Sequence, residues 1–295
     1  MAELEGEGSS PNEAMFFALS YLPLFELLTM ARVCTSFRDA IKNDTPPWLK
    51  IVVDRPLNRR LSDDRLLEVA SVAKGQLQAL VLINCLNITD NGLLTVIHHN
   101  PSITKLHVPG CTSLSAGGVV RAVQLLTKDN HRLRSLKISG VYAIRPEDLH
   151  TLRGLIDHNT IQQKKNKTFY HLHRIESDDD PGIDVDICPK CGDVRMVFDC
   201  PRLLCRQQQQ QRRHGECRGC SSCIVRCIEC GVCMKGIDQE AEAAACADAL
   251  CLECWLNLPK CNFCNKPYCS LHADQQHTLS DSAGFICATC HSKFN

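Results

Sequence analysis

The chain has 295 residues and carries 33 Lys and Arg against 33 Asp and Glu, so its formal net charge is zero. At about 150 residues per domain that length points to two domains, and the neutral balance argues against a general binder of nucleic acid or membrane surface. No apolar run reaches the ~18 residues of a spanning helix, and Glu3, Glu5 and Glu7 stand where a secretory signal needs positive charge; a soluble intracellular chain, nuclear or cytoplasmic, is expected.

Residues 1–10 hold three Glu, two Gly and two Ser and are read as a disordered lead. From Pro11 the pattern turns helical. Met15, Ala18, Leu19 and Leu22 fall on one helical face that Pro23 ends, and Leu27, Met30, Ala31, Cys34, Phe37 and Ile41 mark a second, longer helix stopped by Pro46 and Pro47. Two short helices with a trailing Trp48 cannot bury all of this apolar surface alone, so some of it is expected to meet a partner.

Over 11–50 the residues Pro11, Glu13, Leu19, Ser20, Tyr21, Leu22, Pro23, Leu27, Leu28, Val33, Cys34, Phe37, Arg38 and Trp48 resemble an F-box, with Ser10 where Leu is usual before the proline and Phe37 where Trp is usual. The resemblance implies docking on the Skp adaptor, and through it on cullin. It carries Pro11, Leu19, Leu22, Pro23, Val33, Cys34, Phe37 and Trp48 over as adaptor contacts, with Trp48 supporting either the contact or the fold.

Residues 51–156 repeat. Leu77, Leu80, Leu82, Cys85 and Ile88 recur in register as Ile103, Leu106, Val108, Cys111 and Leu114, then as Leu133, Leu136, Ile138, Val141 and Ile144. Spacings of 26 and 30 residues fit a leucine-rich repeat, one short strand and one helix per unit, with Ile51, Val53 and Leu66 in a degenerate earlier copy. Cys85 and Cys111 occupy the small buried position, and Val81, Ile83, Lys105, His107, Lys137 and Ser139 are expected to line an exposed concave face. The pattern resembles the cysteine-containing repeats that often follow an F-box. Residues 157–187, basic around Lys164, Lys165 and Lys167 and acidic from Glu176 to Asp186, read as a charged linker.

The cysteines draw the domain boundary near 187, since 18 of 21 lie between 188 and 290. Doublets with two residues between sulfurs stand at Cys188/Cys191, Cys251/Cys254, Cys261/Cys264 and Cys287/Cys290, triplets at Cys217/Cys220/Cys223 and Cys227/Cys230/Cys233, and Cys269/His272 repeats the spacing with an imidazole. Such turns put two soft ligands on one ion, and two turns complete the tetrahedron that Zn²⁺ prefers. A disulfide framework is the alternative, but an intracellular chain keeps thiols reduced. From Cys251 to Cys290 a cross-brace is expected, Cys251/Cys254 with Cys269/His272 and Cys261/Cys264 with Cys287/Cys290, although consecutive pairing fits as well. Cys188, Cys191, Cys200 and Cys205 with two pairs from the triplets supply up to two further sites, for about two to four structural ions over 188–295, while Cys34, Cys85, Cys111 and Cys246 are read as small buried apolar residues.

The fold class expected is an α/β leucine-rich-repeat arc preceded by an α-helical F-box, plus a small irregular zinc-stabilised C-terminal domain. No phosphate-binding glycine loop, nucleophile elbow or H-E-x-x-H pair occurs, and a full set of thiolate ligands leaves no open metal position for an activated water. The order of F-box, repeats and cysteine-rich tail resembles plant F-box proteins of the Skp-interacting-partner group. That likeness implies a non-catalytic substrate-recognition subunit of an SCF ubiquitin ligase, with an unknown protein as substrate. Two alternatives compete: a RING-like module in the cysteine-rich part, or nucleic-acid binding through Arg202, Arg206, Arg212, Arg213, Arg218 and Arg226 with Trp255, Phe263 or Tyr268 as stacking platforms.

Overall fold

The computed structural model describes residues 13–44, 46–128, 133–156, 182–203, 205, 217–234, 242–278 and 284–293. These residues form two compact units, one running to residue 156 and taking back 182–186, the other from 187 onward. Residues 1–12, including Pro11, most of the 157–187 segment and the glutamine tract lie outside the described residues.

The first unit begins with three helices, α1 (Glu13–Ala18), α2 (Leu24–Met30) and α3 (Thr35–Asn43), with 3-10 turns at Leu19–Tyr21 and Pro46–Trp48. The long second helix expected from Leu27 to Ile41 is therefore two. Its break falls at Cys34, whose φ of −153° and ψ of 167° put extended backbone ahead of α3, while the N–H of Val33 turns back to the Met30 carbonyl. The apolar positions still meet: Leu19, Leu24, Leu27, Phe37, Ile41 and Trp48 are buried together, Phe16 packs on Phe37 with ring centroids 5.2 Å apart, and Trp48 Nε1 donates to the Ile41 carbonyl at 2.6 Å.

Next come four strand-helix units and one closing strand. Strands β1 (Lys50–Val53), β2 (Ala79–Leu82), β3 (Lys105–His107), β4 (Ser135–Lys137) and β5 (Gly182–Ile183) pair in that order, every pair parallel, and helices α4 (Asp63–Ser71), α5 (Asp90–His99), α6 (Ala116–Thr127) and α7 (Pro146–Leu155) follow the first four strands. The register aligns Ile51, Leu80, Leu106, Leu136 and Ile183 in one row across the sheet. In the three clear units every repeated apolar position is buried except Ile144, which is half-buried. Each fully buried Leu or Ile contributes about 1.5–3 kcal/mol, so these rows are the main source of stability in this unit.

Beside apolar burial, a carboxylate relay ties successive helices together at two junctions. Asp63, the first residue of α4, accepts hydrogen bonds from the backbone N–H (2.9 Å) and hydroxyl (2.6 Å) of Thr89, which caps α5. Asp90, the first residue of α5, does the same for Ser115, the cap of α6, at 2.9 and 2.5 Å. The carboxylate needs the room a side chain would take: a Cβ on Gly92 or Gly118 would lie 2.0 Å from Oδ1 of Asp63 or Asp90. At the next junction the relay stops, because Ala116 has no carboxylate to offer and α7 instead caps itself through Asp148, which accepts from the Arg145 N–H at 3.0 Å.

Two sequence expectations differ from the structure here. Residues 182–187 are not solvated linker: β5 extends the sheet, Asp184 accepts from the N–H of Ile138 (2.8 Å) and Ser139 (3.1 Å), and Asp186 pairs with Arg153 at 2.6 Å. Asp184 is thus held by backbone N–H groups and Asp186 by a guanidinium, both from the preceding strand-helix unit, while Glu176 to Asp180 lie outside the described residues. Nor is the predicted concave face open, since Val81 and His107 are buried, His107 Nε2 lies 2.8 Å from Ser135 Oγ, and the other four positions are half-buried.

Replacing Gly92 or Gly118 with Ala should cost about 1–3 kcal/mol each by overpacking against the relay carboxylate. Gly154→Ala in α7, where nothing lies within 4 Å of the added Cβ, should instead gain up to about 1 kcal/mol. Urea denaturation of the three variants checks the contrast.

Candidate metal centres and partner surface

The second unit is built from short pieces: a two-stranded sheet of β6 (Asp186–Ile187) with β7 (Val194–Arg195), a hairpin of β8 (Glu242–Ala243) and β9 (Ala249–Leu250), helix α8 (Leu252–Asn257), a 3-10 segment Ser270–Gln275, a hairpin of β10 (His277–Thr278) and β11 (Phe285–Ile286), and helix α9 (Ala288–His291). None is long enough to stand alone. What gathers them is sulfur.

Three clusters hold four cysteines each, with all ligand atoms of a cluster within 4.8 Å of one another: Cys188/Cys191/Cys220/Cys223, Cys227/Cys230/Cys251/Cys254 and Cys261/Cys264/Cys287/Cys290. The sulfurs of Cys191 and Cys220 lie 4.0 Å apart, those of Cys230 and Cys251 3.7 Å, and those of Cys264 and Cys287 3.7 Å. A tetrahedral ion with bonds of about 2.3 Å to sulfur has edges of about 3.8 Å, so this is the donor spacing that a zinc-sized ion requires. Cys200, Cys205 and Cys233 form a fourth cluster, which Cys217 completes at 3.5 Å from Cys205 and 3.4 Å from Cys233. A fifth group joins Cys246, Asp248, Cys269 and His272.

Local sequence explains the geometry. In each of three clusters the first doublet sits on a tight turn whose following residue has left-handed backbone, Gly192, Gly231 or Asn265, and donates its N–H to the carbonyl of the first cysteine at 2.8–3.0 Å. Glycine and asparagine tolerate that conformation best. Cys251 and Cys287 stand at the N-termini of α8 and α9, whose next turn delivers Cys254 and Cys290.

Backbone N–H groups are aimed at sulfur. Cys220 donates to the Cys188 sulfur at 3.4 Å, Cys233 to Cys200 at 3.4 Å and Cys287 to Cys261 at 3.3 Å. At Cys188 burial opposes ionisation, but the N–H groups of Cys220, Cys191 and Lys190 outweigh it and bring the thiol down to about 6. The same balance holds Cys261 near about 6, while the Cys230 thiol, working against burial and helped by N–H groups of Cys230, Cys251 and Glu229, lowers Cys227 to about 4. Their cluster mates move the other way: the Cys220 side chain and burial push Cys223 up to about 12, and burial and the Cys251 side chain do so for Cys254. Crowded thiolates repel, and a divalent cation is what lets all four ionise together.

The structure re-sorts the ligands. Each triplet is split: Cys233 goes to the fourth cluster, Cys217 lies against Cys205 and Cys233 of that cluster, and the remaining pairs go to the first and second. The expected partnership of Cys261/Cys264 with Cys287/Cys290 is present, whereas Cys251/Cys254 meet Cys227/Cys230 instead of Cys269/His272. Cys246 is a cluster member rather than an apolar filler, and Asp248 was not selected from the sequence because an aspartate two residues from a single cysteine does not follow the doublet spacing. Cys85 and Cys111 are fully buried in the first unit, the Cys111 thiol donating to the Leu82 carbonyl at 3.3 Å.

Two of the six arginines of the basic patch are engaged within the structure. Arg218 pairs with Asp199 at 2.8 Å, and the buried Arg226 donates to the carbonyls of Phe198, Cys217 and Gly231, while Arg206, Arg212 and Arg213 lie outside the described residues. Tyr268, one of the suggested stacking platforms, is buried against Phe285.

In the helical N-terminus, Leu19, Phe37 and Trp48 belong to the core, so they support the surface without forming it. Leu22, Pro23 and Cys34 are half-buried, and Val33 is exposed. Exposed beside these expected contacts are Met15, Phe17, Tyr21, Phe25 and Leu28, with Phe17 at 75% and Tyr21 at 81%. The sequence pattern missed them because core and surface apolar residues alternate on such short helices.

The F-box domain model matches residues 11–49, and the model described as At3g27290 F-box protein C-terminal domain matches residues 184–263. The Arabidopsis thaliana protein F-box protein SKIP28 is 42% identical over 98% of this chain and 93% of its own length. This chain belongs to the F-box protein family. Two further Arabidopsis relatives, F-box protein SKIP14 and F-box protein At3g27290, are 32% and 34% identical over 86% and 82% of this F-box protein, which spans 56% and 65% of their lengths. Among solved structures, "Crystal structure of Rad7 and Elc1 complex in yeast" aligns with 32% of the chain and 24% of its own at a TM-score of 0.28 and 12% identity, a likeness too slight to inform the fold. Among the described residues of this F-box protein, no helix is long and apolar enough to cross a membrane.

If the cysteine clusters hold metal, treating this F-box protein with excess EDTA should remove amide-exchange protection from the described residues of the second unit while strands β1–β4 keep theirs, because the first unit is stabilised by apolar burial. Hydrogen-exchange mass spectrometry with and without chelator measures this directly. Equal loss in both units would show that the stability of the first also depends on metal.

Proposed function

We propose that this F-box protein is a substrate-recognition subunit of an SCF-type ubiquitin ligase, joined to the Skp adaptor by residues 11–49 and through it to cullin. The observation that carries the reading is the F-box match over a helical segment that leaves Phe17, Tyr21, Phe25, Leu28 and Val33 exposed around a small buried core. Large apolar side chains on display at this density need a partner to cover them.

The strand-helix units are leucine-rich repeats on this reading, a proposal supported by their parallel register and by burial of the repeated positions. Together with the C-terminal unit they would capture a protein substrate in the nucleus or cytoplasm. The four all-cysteine clusters hold structural Zn²⁺: their donor set is soft, their sulfur spacing suits tetrahedral coordination, and four filled positions leave none for substrate. The chain is then non-catalytic, contributing proximity and orientation to ubiquitin transfer performed by other subunits.

Co-expression with a Skp adaptor should yield a one-to-one complex that survives size-exclusion chromatography. The double variant Tyr21→Asp with Val33→Asp, at positions exposed enough to spare the fold, should abolish it, since each buried unpaired charge costs about 2 kcal/mol or more. A folded double variant that still binds at wild-type strength would refute this docking surface.

A further inference from the structure

Four clusters are made of sulfur alone, and the fifth is not. Cys246 and Asp248 project from the turn between β8 and β9, on either side of Ala247, whose φ of 66° lets the chain reverse there. Cys269 and His272 come from the start of the 3-10 segment, where the His272 N–H turns back to the Cys269 carbonyl at 3.0 Å. The two sulfurs lie 3.6 Å apart, Asp248 Oδ2 is 3.4 Å from Cys246 Sγ and 3.1 Å from Cys269 Sγ, and His272 Nδ1 is 3.2 Å from Cys269 Sγ and 3.1 Å from Asp248 Oδ2. With bonds of about 2.3 Å to sulfur and about 2.0 Å to nitrogen or oxygen, a tetrahedral zinc ion has edges of about 3.8, 3.5 and 3.3 Å for the three kinds of donor pair. The observed edges keep that order between sulfur pairs and mixed pairs and fall within a few tenths of an ångström of it.

A cysteine, a histidine and an aspartate in contact also suggest a nucleophile with its base. Such a relay uses both ring nitrogens, one toward sulfur and the other toward the carboxylate. Here both contacts converge on Nδ1, and one oxygen of Asp248 faces both sulfurs and the ring. Convergence of one atom from each of four residues on a single point is the signature of a central ion.

We infer that Cys246, Asp248, Cys269 and His272 form a fifth zinc site, of two thiolates, one carboxylate and one imidazole. The site ties the β8–β9 turn to the segment after Cys269, two stretches with few apolar residues of their own. It lies among the ligands of the cluster at Cys261/Cys264/Cys287/Cys290 in chain order, so each ion closes a loop through which the other's ligands pass. With a hard oxygen donor in place of a thiolate, it releases its ion before the all-sulfur sites do.

The inference rests on reading the cysteine clusters as zinc centres and is independent of adaptor docking. Native mass spectrometry of the full chain purified with zinc should count five ions, and Asp248→Asn, with unchanged far-UV circular dichroism, should count four. A wild-type count of four overturns the fifth site alone, a count of one to three overturns it together with some of the all-sulfur sites, a count of zero overturns the zinc reading with it, and five ions in the variant remove Asp248 as a ligand. A second measurement needs no variant: with the chromophoric chelator 4-(2-pyridylazo)resorcinol, the unaltered chain should yield one equivalent of zinc in a separate fast phase. Release of all zinc in one phase would overturn the distinct character of this site.

Discussion

Thiolates held within van der Waals distance of one another repel, and the second unit is organised by the need to offset that repulsion. Its described segments are two to six residues long, and its buried apolar residues fall into small separate clusters around the cysteines, Tyr268 packing on Phe285 in one of them. N–H groups pointed at Cys188, Cys200 and Cys261 prepare single sulfurs for ionisation, but only a cation can let all members of a cluster ionise together. In the proposed zinc-loaded state, metal coordination does the work that the leucine rows do in the first unit.

The clusters are not strung along the chain one after another. The ligands of the first bracket three from the fourth, Cys233 of the fourth lies inside the span of the second, and the fifth alternates with the third. Interleaving of this kind means that no short segment can hold a complete site alone, so the unit folds as a whole. The first unit reaches cooperativity by another route, through carboxylates of Asp63 and Asp90 that fix each helix to the cap of the next.

The proposed F-box docking and substrate capture would place opposite demands on one chain. The N-terminal helices must keep Phe17, Tyr21 and Val33 exposed while Leu19, Phe37 and Trp48 hold them in place. Their small core makes that display possible only because the sheet and its helices supply stability elsewhere.

Much of this was legible in the residues themselves. The period of 26 and 30 residues located β2 to β4 and their buried positions, since burial on a parallel sheet demands the same apolar spacing in every unit. The doublets and triplets identified most of the sulfurs in the clusters, because a tight turn with two residues between cysteines brings two sulfurs to one point. Three things were decided by tertiary structure. Which doublets share a cluster depends on contacts between residues far apart in sequence, so Cys251/Cys254 could be matched to Cys227/Cys230 only in space. Cys246 and Asp248 became visible once the β8–β9 turn was set beside Cys269 and His272. Core and surface among the N-terminal apolar residues separated only when Cys34 broke one expected helix into two, since the change of direction at an extended residue is what turns Phe37 inward and leaves Val33 outside.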